Sequence, residues 1–282
     1  MSGRSDQPAP VAPDDQVIAR AAVLIRHWTG MTFGENKRYY IERRLVERMA
    51  KTGIAAPAAY LDFATYMPGE RQELINAFTV NETYFYREIH HLSALSGHML
   101  PSIVRHRVPG DLIRIWSMPC ATGEEAYSIA IWLLENWALV DAFNIEIVGS
   151  DIDTAALAKA RDGHFSQRSL ARLPEQIRES YFEIEKGHQR QIIQDLRESV
   201  RFTPANLIDP SSVEGLGSFD VILCRNLLIY FDDDARKRAA DLLYDRLKLG
   251  GYLCLGHSES MKNISDRFEA TRLDDAIVYR RP

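Results

Sequence analysis

The sequence predicts an α/β protein: a mostly parallel sheet with helices on its faces, preceded by a small all-helical domain. Three observations carry this. Val221–Cys224 is an unbroken apolar run that stops at Arg225-Asn226, as expected of a strand buried on both faces and emptying into a site. From Asp111 onward strand-like and helix-like segments alternate, the rhythm of a parallel sheet with crossover helices. Residues 16–80 show only helical spacing. In open α/β sheets ligands sit beyond the carboxyl ends of the strands, which puts Arg225, Asn226 and Tyr230 where chemistry is expected.

The 282 residues suit one large and one small domain. A net charge of −5 opposes a general nucleic-acid binder, whose affinity would come from Lys and Arg facing phosphates. No apolar segment is long enough to span a bilayer and no basic-then-apolar signal opens the chain, so a cytoplasmic protein without membrane insertion is expected. Cys120, Cys224 and Cys254 lack CxxC or Cys/His spacing and read as small buried residues. His90, His91, His188 and His257 read as structural or surface groups, and no metal is expected.

Residues 1–15, with Pro8, Pro10 and Pro13, are expected to be a disordered tail. Val17, Ala21, Leu24, Ile25 and Trp28 predict a first helix ended by Thr29-Gly30, and a second should run from about Glu35 to Lys51. On that helix Ile41, Leu45 and Met49 form an apolar stripe, while Lys37, Arg44, Arg48 and Lys51 share a narrow sector. Its 6 basic residues exceed its 3 acidic ones by 3. The sector fits either a solvated face or a docking surface for an acidic partner. Tyr60–Met67 and Glu70–Val80, separated by Pro68-Gly69, complete the helical domain.

Asn81–Glu88 is polar and aromatic and fits no amphipathic period. Leu92, Leu95, Met99 and Ile103 predict a connecting helix up to Val108-Pro109-Gly110, and residues 81–110 form the linker to the larger domain. Leu112–Trp116 and Ile145–Gly149 are strands flanking a helix over Ala126–Val140, and the second strand leads to Ser150-Asp151-Ile152-Asp153. This is a nucleoside-binding half, with Asp151 able to accept from two ribose hydroxyls. The G-x-G-x-x-G and Walker patterns are absent, which excludes the usual dinucleotide and triphosphate sites. About residues 181–203, Phe182–Ile184, Gln191–Ile193 and Val200–Phe202 read as a small antiparallel insertion with a turn at Lys186-Gly187. A helix from Asp233 to Lys248, a Gly250-Gly251 stop, a strand at Tyr252–Leu255 and an edge strand at Ala276–Arg280 follow.

Five motifs in order, Asn81–Glu88, Ala121–Ala130, Ser150–Asp153, Cys224–Phe231 and Leu255–Glu259, resemble the chemotaxis receptor methyltransferases, the CheR family. The resemblance implies a Rossmann-like S-adenosylmethionine-binding domain over residues 111–282, carrying a β-subdomain, behind a helical N-terminal domain over 16–80. It implies a protein-glutamate O-methyltransferase acting on chemoreceptors and releasing S-adenosylhomocysteine. Carried over motif by motif, Asn81, Thr83, Arg87, Glu125, Asp151, Asn206, Leu207, Arg225 and Asn226 would contact the cofactor, with Arg87 and Tyr230 near the transferred methyl. Some members bind a receptor's C-terminal tethering peptide through the β-subdomain; others do not. One departure is Met118-Pro119, where small residues are usual.

An ionised glutamate needs no general base, so the lack of a Ser-His-Asp or Cys-His set agrees with this chemistry. With the resemblance counted, Lys37, Arg44, Arg48 and Lys51 are expected to dock the acidic methylatable helices of the receptor's cytoplasmic domain. Two alternatives stand beside it. A nucleic-acid methyltransferase is disfavoured by the acidic charge and by Arg225-Asn226-Leu227-Leu228-Ile229-Tyr230 lacking proline. A non-catalytic cofactor-binding scaffold is disfavoured by the presence of both Arg87 and Tyr230. A monomer is the default expectation.

Overall fold

The computed structural model describes residues 10–184 and 189–282. Most of the predicted tail, the Lys186-Gly187 turn and His188 lie outside the described residues. The chain divides into two compact units, the first comprising residues up to Val80 together with Tyr230–Asp232, the second Asn81–Ile229 and Asp233–Pro282. Among the described residues no helix is long and apolar enough to cross a membrane.

The first unit is built on four helices, α1 (Asp15–Thr29), α2 (Arg38–Thr52), α3 (Pro57–Tyr66) and α4 (Pro68–Phe78). Asp14 caps α1 by accepting from the Val17 N–H at 2.9 Å, satisfying one of the donors that a helix start leaves unpaired. Ordered chain thus begins ahead of the predicted start, and the Val11 N–H donates to the Ala55 carbonyl. Gly30 ends α1 at φ 77°, a conformation that favours glycine. Pro68 does not separate two helices with a loop; it opens α4 directly, because the first turn of a helix needs no N–H from that position. The core of this unit includes Ile25, Leu45, Met49, Tyr60, Leu61, Leu74 and Phe78, so the predicted α2 stripe is the buried one.

The second unit holds a seven-stranded sheet of β1 (Leu112–Ser117), β2 (Asn144–Asp151), β6 (Val200–Pro204), β7 (Phe219–Cys224), β8 (Leu247–Leu255), β9 (Glu269–Leu273) and β10 (Ala276–Arg280). A separate three-stranded antiparallel sheet holds β3 (His164–Ser166), β4 (Phe182–Ile184) and β5 (Gln189–Ile192). The large sheet runs β6-β2-β1-β7-β8-β10-β9. Strands β6, β2, β1, β7 and β8 are parallel, and β10 is antiparallel to both neighbours. All six residues of β7 are buried, as its apolar run requires.

Three strand assignments differ from expectation. Val200–Phe202 is not part of the small sheet: β6 pairs in parallel with β2, burying Val200 and Phe202 while Arg201 faces out. Its place in the small sheet is taken by β3, which is too short to show a period. β8 begins at Leu247 rather than after the glycine pair, with Gly250 at φ 74° where the register with β7 shifts. β10 is not at the edge, because β9 covers it.

Candidate active site

The chain crosses from one side of the sheet to the other between β1 and β7, and such a switch point opens a crevice at the carboxyl ends of the strands. Ser117, Asp151, Arg225 and Gly256 lie at or just beyond the carboxyl ends of β1, β2, β7 and β8 respectively. Four non-glycine residues in this region have positive φ: Tyr86 (57°), Glu88 (53°), Ala121 (45°) and Asn226 (59°). Each such conformation costs on the order of 1–3 kcal/mol and is typical of sites where side-chain direction outweighs backbone comfort.

Arg225 is the centre of the arrangement. Its guanidinium is 4% exposed, and its Nε donates to Glu125 Oε2 at 2.5 Å while Nη1 donates to the Arg87 carbonyl at 2.7 Å. Burial opposes its charge, but Glu125 and Glu88 more than offset that and hold its pKa above the ordinary value. The other Glu125 oxygen accepts from Ser117 Oγ at 2.8 Å. A helix over Glu124–Asn136 delivers Glu125, and Gly123 begins that helix at φ 97°. The first turn of this helix carries two acids, Glu124 and Glu125.

Asp151, at the end of β2, is 3% exposed and accepts from the Ala121 N–H at 2.8 Å and the Asp153 N–H at 2.9 Å. Burial raises its pKa to about 6, against those hydrogen bonds. Ala205 N–H donates to the Asp151 carbonyl, which brings the Asn206-Leu207 turn beside it. There Asn206 Oδ1 accepts from the Ile208 N–H, while Leu207 is buried.

Asn81–Glu88 owes its irregular course to anchors on several partners. The Phe85 ring is fully buried edge-on to Phe165 and Phe182, at 4.8 and 5.2 Å between centroids. The Tyr86 N–H donates to Ser128 Oγ, and Asn81 Nδ2 donates to Asp153 Oδ2. Thr83 lies half-buried in the same segment. Arg87 Nη1 donates to the Glu82 carbonyl at 2.7 Å, and its guanidinium lies 5.7 Å from the Tyr84 ring centre. One hydrogen bond leaves most of the five guanidinium N–H groups available.

Sequence reading missed Glu88 and Glu259. Glu88 faces His257 Nδ1 at 3.0 Å, His91 Nδ1 at 3.5 Å and Arg225 Nη1 at 3.7 Å. Burial opposes its charge, yet the two histidines and Arg225 hold its pKa well below the carboxylate range. His91 is 2% exposed, and Glu88, His90 and His91 place ligand-type atoms within 4.8 Å of one another, a cluster that the sequence spacing did not suggest. The Arg225 cation beside Glu88 opposes a dication there. Glu259 accepts from the Asn226 and Gly256 N–H groups at Oε2, and from the Leu228 N–H at Oε1, at 2.6 to 2.8 Å. It thereby holds Asn226 in its left-handed conformation. The only sequence signal was membership of the motif Leu255–Glu259.

Tyr230 belongs to the first unit, where its carbonyl accepts from the Thr32 N–H at 2.8 Å. The predicted docking sector of α2 needs a correction in the same unit. Arg48 is buried and bonded to Glu70 through Nε and Nη2, at 3.0 and 2.7 Å, and to Glu73 through Nη1. The Tyr60 hydroxyl donates to the same Glu70. Arg48 is thus an internal ion pair rather than a surface cation, because the wheel sector reaches the edge of the α2–α4 contact. Lys37 and Lys51 are exposed, and Arg44 pairs with Glu47 while lying over the Tyr40 ring. Met118 is 2% exposed, so its side chain fills the core.

The family model described as the CheR methyltransferase SAM-binding domain matches residues 81–277, and that described as the CheR methyltransferase all-alpha domain matches residues 17–79. The chain belongs to the CheR methyltransferase family. The matches meet between residues 79 and 81, where the first unit's main segment ends. It is 48% identical over 256 residues to chemotaxis protein methyltransferase 2 of Vibrio cholerae serotype O1, covering 90% of this chain and 88% of that protein. It is 31% identical to chemotaxis protein methyltransferase Cher2 of Pseudomonas putida, over 92% and 95% of the two chains. The CheR motifs Ala121–Ala130 and Cys224–Phe231 contain the buried Glu125–Arg225 pair.

Proposed function

We propose that this CheR-family protein methylates glutamate side chains of chemoreceptors in the cytoplasm, using S-adenosylmethionine and yielding glutamate methyl esters and S-adenosylhomocysteine. The observation that carries the reading is the buried Glu125–Arg225 pair at the β1/β7 switch point of a domain that matches the family over residues 81–277. The donor set fits the cofactor. Asp151 lies where a ribose would be held, its carboxylate fixed at the end of β2 by the main-chain N–H groups of Ala121 and Asp153. Asn206 and Leu207 lie beside it for the base, through main-chain and amide groups, and Asn81 and Thr83 border the same end of β2 and its following helix.

When bound, S-adenosylmethionine supplies a methyl group on a positive sulfur. Its transfer to a glutamate oxygen would return the C–S electron pair to sulfur and would need no proton from the residues of the chain. Glu125, Arg225 and Asn226 form the rigid floor of this reading. Arg87, with most of its donors uncommitted, orients a carboxylate, that of the acceptor or that of the cofactor's amino-acid arm, and Tyr230 is the residue that the family motif Cys224–Phe231 assigns to the methyl transfer. Positioning in a water-poor crevice supplies the acceleration, because an anion and a cation that react lose charge on the way. Lys37, Arg44 and Lys51 offer the receptor's acidic helices a cationic face, and the small sheet is the place for a receptor tethering peptide where one exists. The protein acts as a monomer in this reading.

The test is peptide mapping of a chemoreceptor cytoplasmic fragment after incubation with the protein and labelled S-adenosylmethionine. Label on glutamate, lost with Asp151→Ala, is expected. Label on lysine, arginine or added RNA would replace the reading with another methyltransferase class, and cofactor binding without any transfer would favour a scaffold.

A further inference from the structure

Beside the Asn226 turn the second unit has a cavity of about 470 Å³ that the assignments above do not use. One wall is Leu228 and Ile229, whose N–H groups point at Glu259, so it is built from the same carboxylate-ordered turn that carries Asn226. The opposite walls are the first turns of the helix Asp233–Arg246 and the Ser258–Ile264 segment.

Three cationic residues line it, Arg236, Lys237 and Lys262, against two acids, Asp233 and Glu259. Both acids are already engaged. Glu259 accepts from main-chain N–H groups, and Asp233 pairs with Arg236 at 3.2 Å. Arg236 is in turn fixed by donating from Nε to the Leu228 carbonyl at 2.9 Å. Lys237 and Lys262 are exposed, and their ammonium groups have no ion-pair or hydrogen-bond partner among the described residues. The fourteen-residue helix that starts here adds the positive end of its dipole. The cavity therefore carries uncompensated positive charge on a framework fixed by Glu259 and Arg236.

We infer that this cavity is a substrate subsite for an acidic side chain that neighbours the acceptor glutamate in the receptor segment, held by Lys237 and Lys262. The inference rests on the function proposed above. Two ammonium groups next to the Asn226 turn would select an acidic neighbour of the acceptor over a neutral residue. The contacts are to point charges on flexible stems, so they give attraction and register rather than geometry of reaction.

The test is steady-state methylation of a receptor cytoplasmic fragment by the full chain, comparing wild type with Lys237→Gln/Lys262→Gln, and with Lys159→Gln as a surface-charge control on another helix. The double variant is expected to raise the KM for the receptor fragment roughly tenfold with kcat changed less than about twofold, and to flatten its dependence on salt. Cofactor affinity by calorimetry should not change. As a second readout, acetylation of Lys237 and Lys262 by acetic anhydride should slow when the receptor fragment is present. An unchanged KM, or protection by inorganic phosphate but not by the fragment, would overturn the subsite. Failure of the wild-type protein to methylate any glutamate would instead overturn the function on which it rests.

Discussion

Replacing Arg48 by Met should unfold the helical unit without touching the cofactor site. The Arg48 side chain is 10% exposed and that of Glu70 9% exposed, and two parallel hydrogen bonds join them. The hydrogen bonds to Glu70 raise the arginine pKa against the opposing effect of burial. Removing the cation leaves a buried carboxylate with only the Tyr60 hydroxyl, a loss of about 3–5 kcal/mol for a broken buried pair. In a unit of this size each kcal/mol moves the melting midpoint by roughly 4–8 °C, so a fall of well over about 10 °C is expected. Glu73 adds little, since its side chain is half exposed. The assay is amide exchange across α2, together with calorimetric S-adenosylmethionine binding by the second unit. Arg48→Met with Glu70→Leu should recover much of the stability by removing the orphaned acid. The contrast is Arg44→Glu, whose surface pair with Glu47 is worth less than about 1 kcal/mol, and which should raise the receptor KM while α2 stays protected. Unchanged exchange in Arg48→Met, with receptor methylation alone impaired, would refute the buried-pair argument and return Arg48 to the docking surface.

Arg225→Met should cost the second unit about 3–5 kcal/mol and abolish cofactor binding, because Glu125 is left buried and unpaired; thermal melts and calorimetry check both. Asp151 has its pKa raised to about 6, so cofactor affinity should weaken as pH falls below 6, by up to about tenfold per pH unit. The same shift has the opposite sign for stability of the ligand-free chain: the folded pKa lies above the unfolded one, so this group's contribution is present at low pH and is lost as pH rises through about 6. Asp151→Asn should remove both trends, and a flat affinity profile in the wild type would contradict the ribose role. In Gly256→Ala the new Cβ would fall 2.6 Å from Asn226 Nδ2 and 2.8 Å from Glu259 Oε2, which should cost about 1–3 kcal/mol and lower methylation by displacing the Asn226 turn.

The strongly periodic elements were legible in the sequence. β7 was readable from its apolar run, the α2 core from Ile41, Leu45 and Met49, and a mostly parallel sheet from the alternation of strands with helices. What escaped were features set by pairing rather than by local pattern. β3 is three residues long, and β6 is near its predicted position but belongs to the large sheet. Arg48 shows the limit of a helical wheel, which gives direction around one helix but not which neighbour stands there. In the site, Arg225 and Asp151 were visible as polar residues at strand ends. Glu88 and Glu259 were not, since their roles come from left-handed backbone and from main-chain N–H groups that no periodicity reports.

The most direct test of the central claim is to transfer labelled methyl from S-adenosylmethionine to a purified chemoreceptor cytoplasmic fragment and then treat the product with mild alkali. Release of the label as methanol is the predicted result, because only a carboxyl methyl ester hydrolyses this way. Label that stays on the protein would mean methylation of nitrogen or sulfur and would contradict the account.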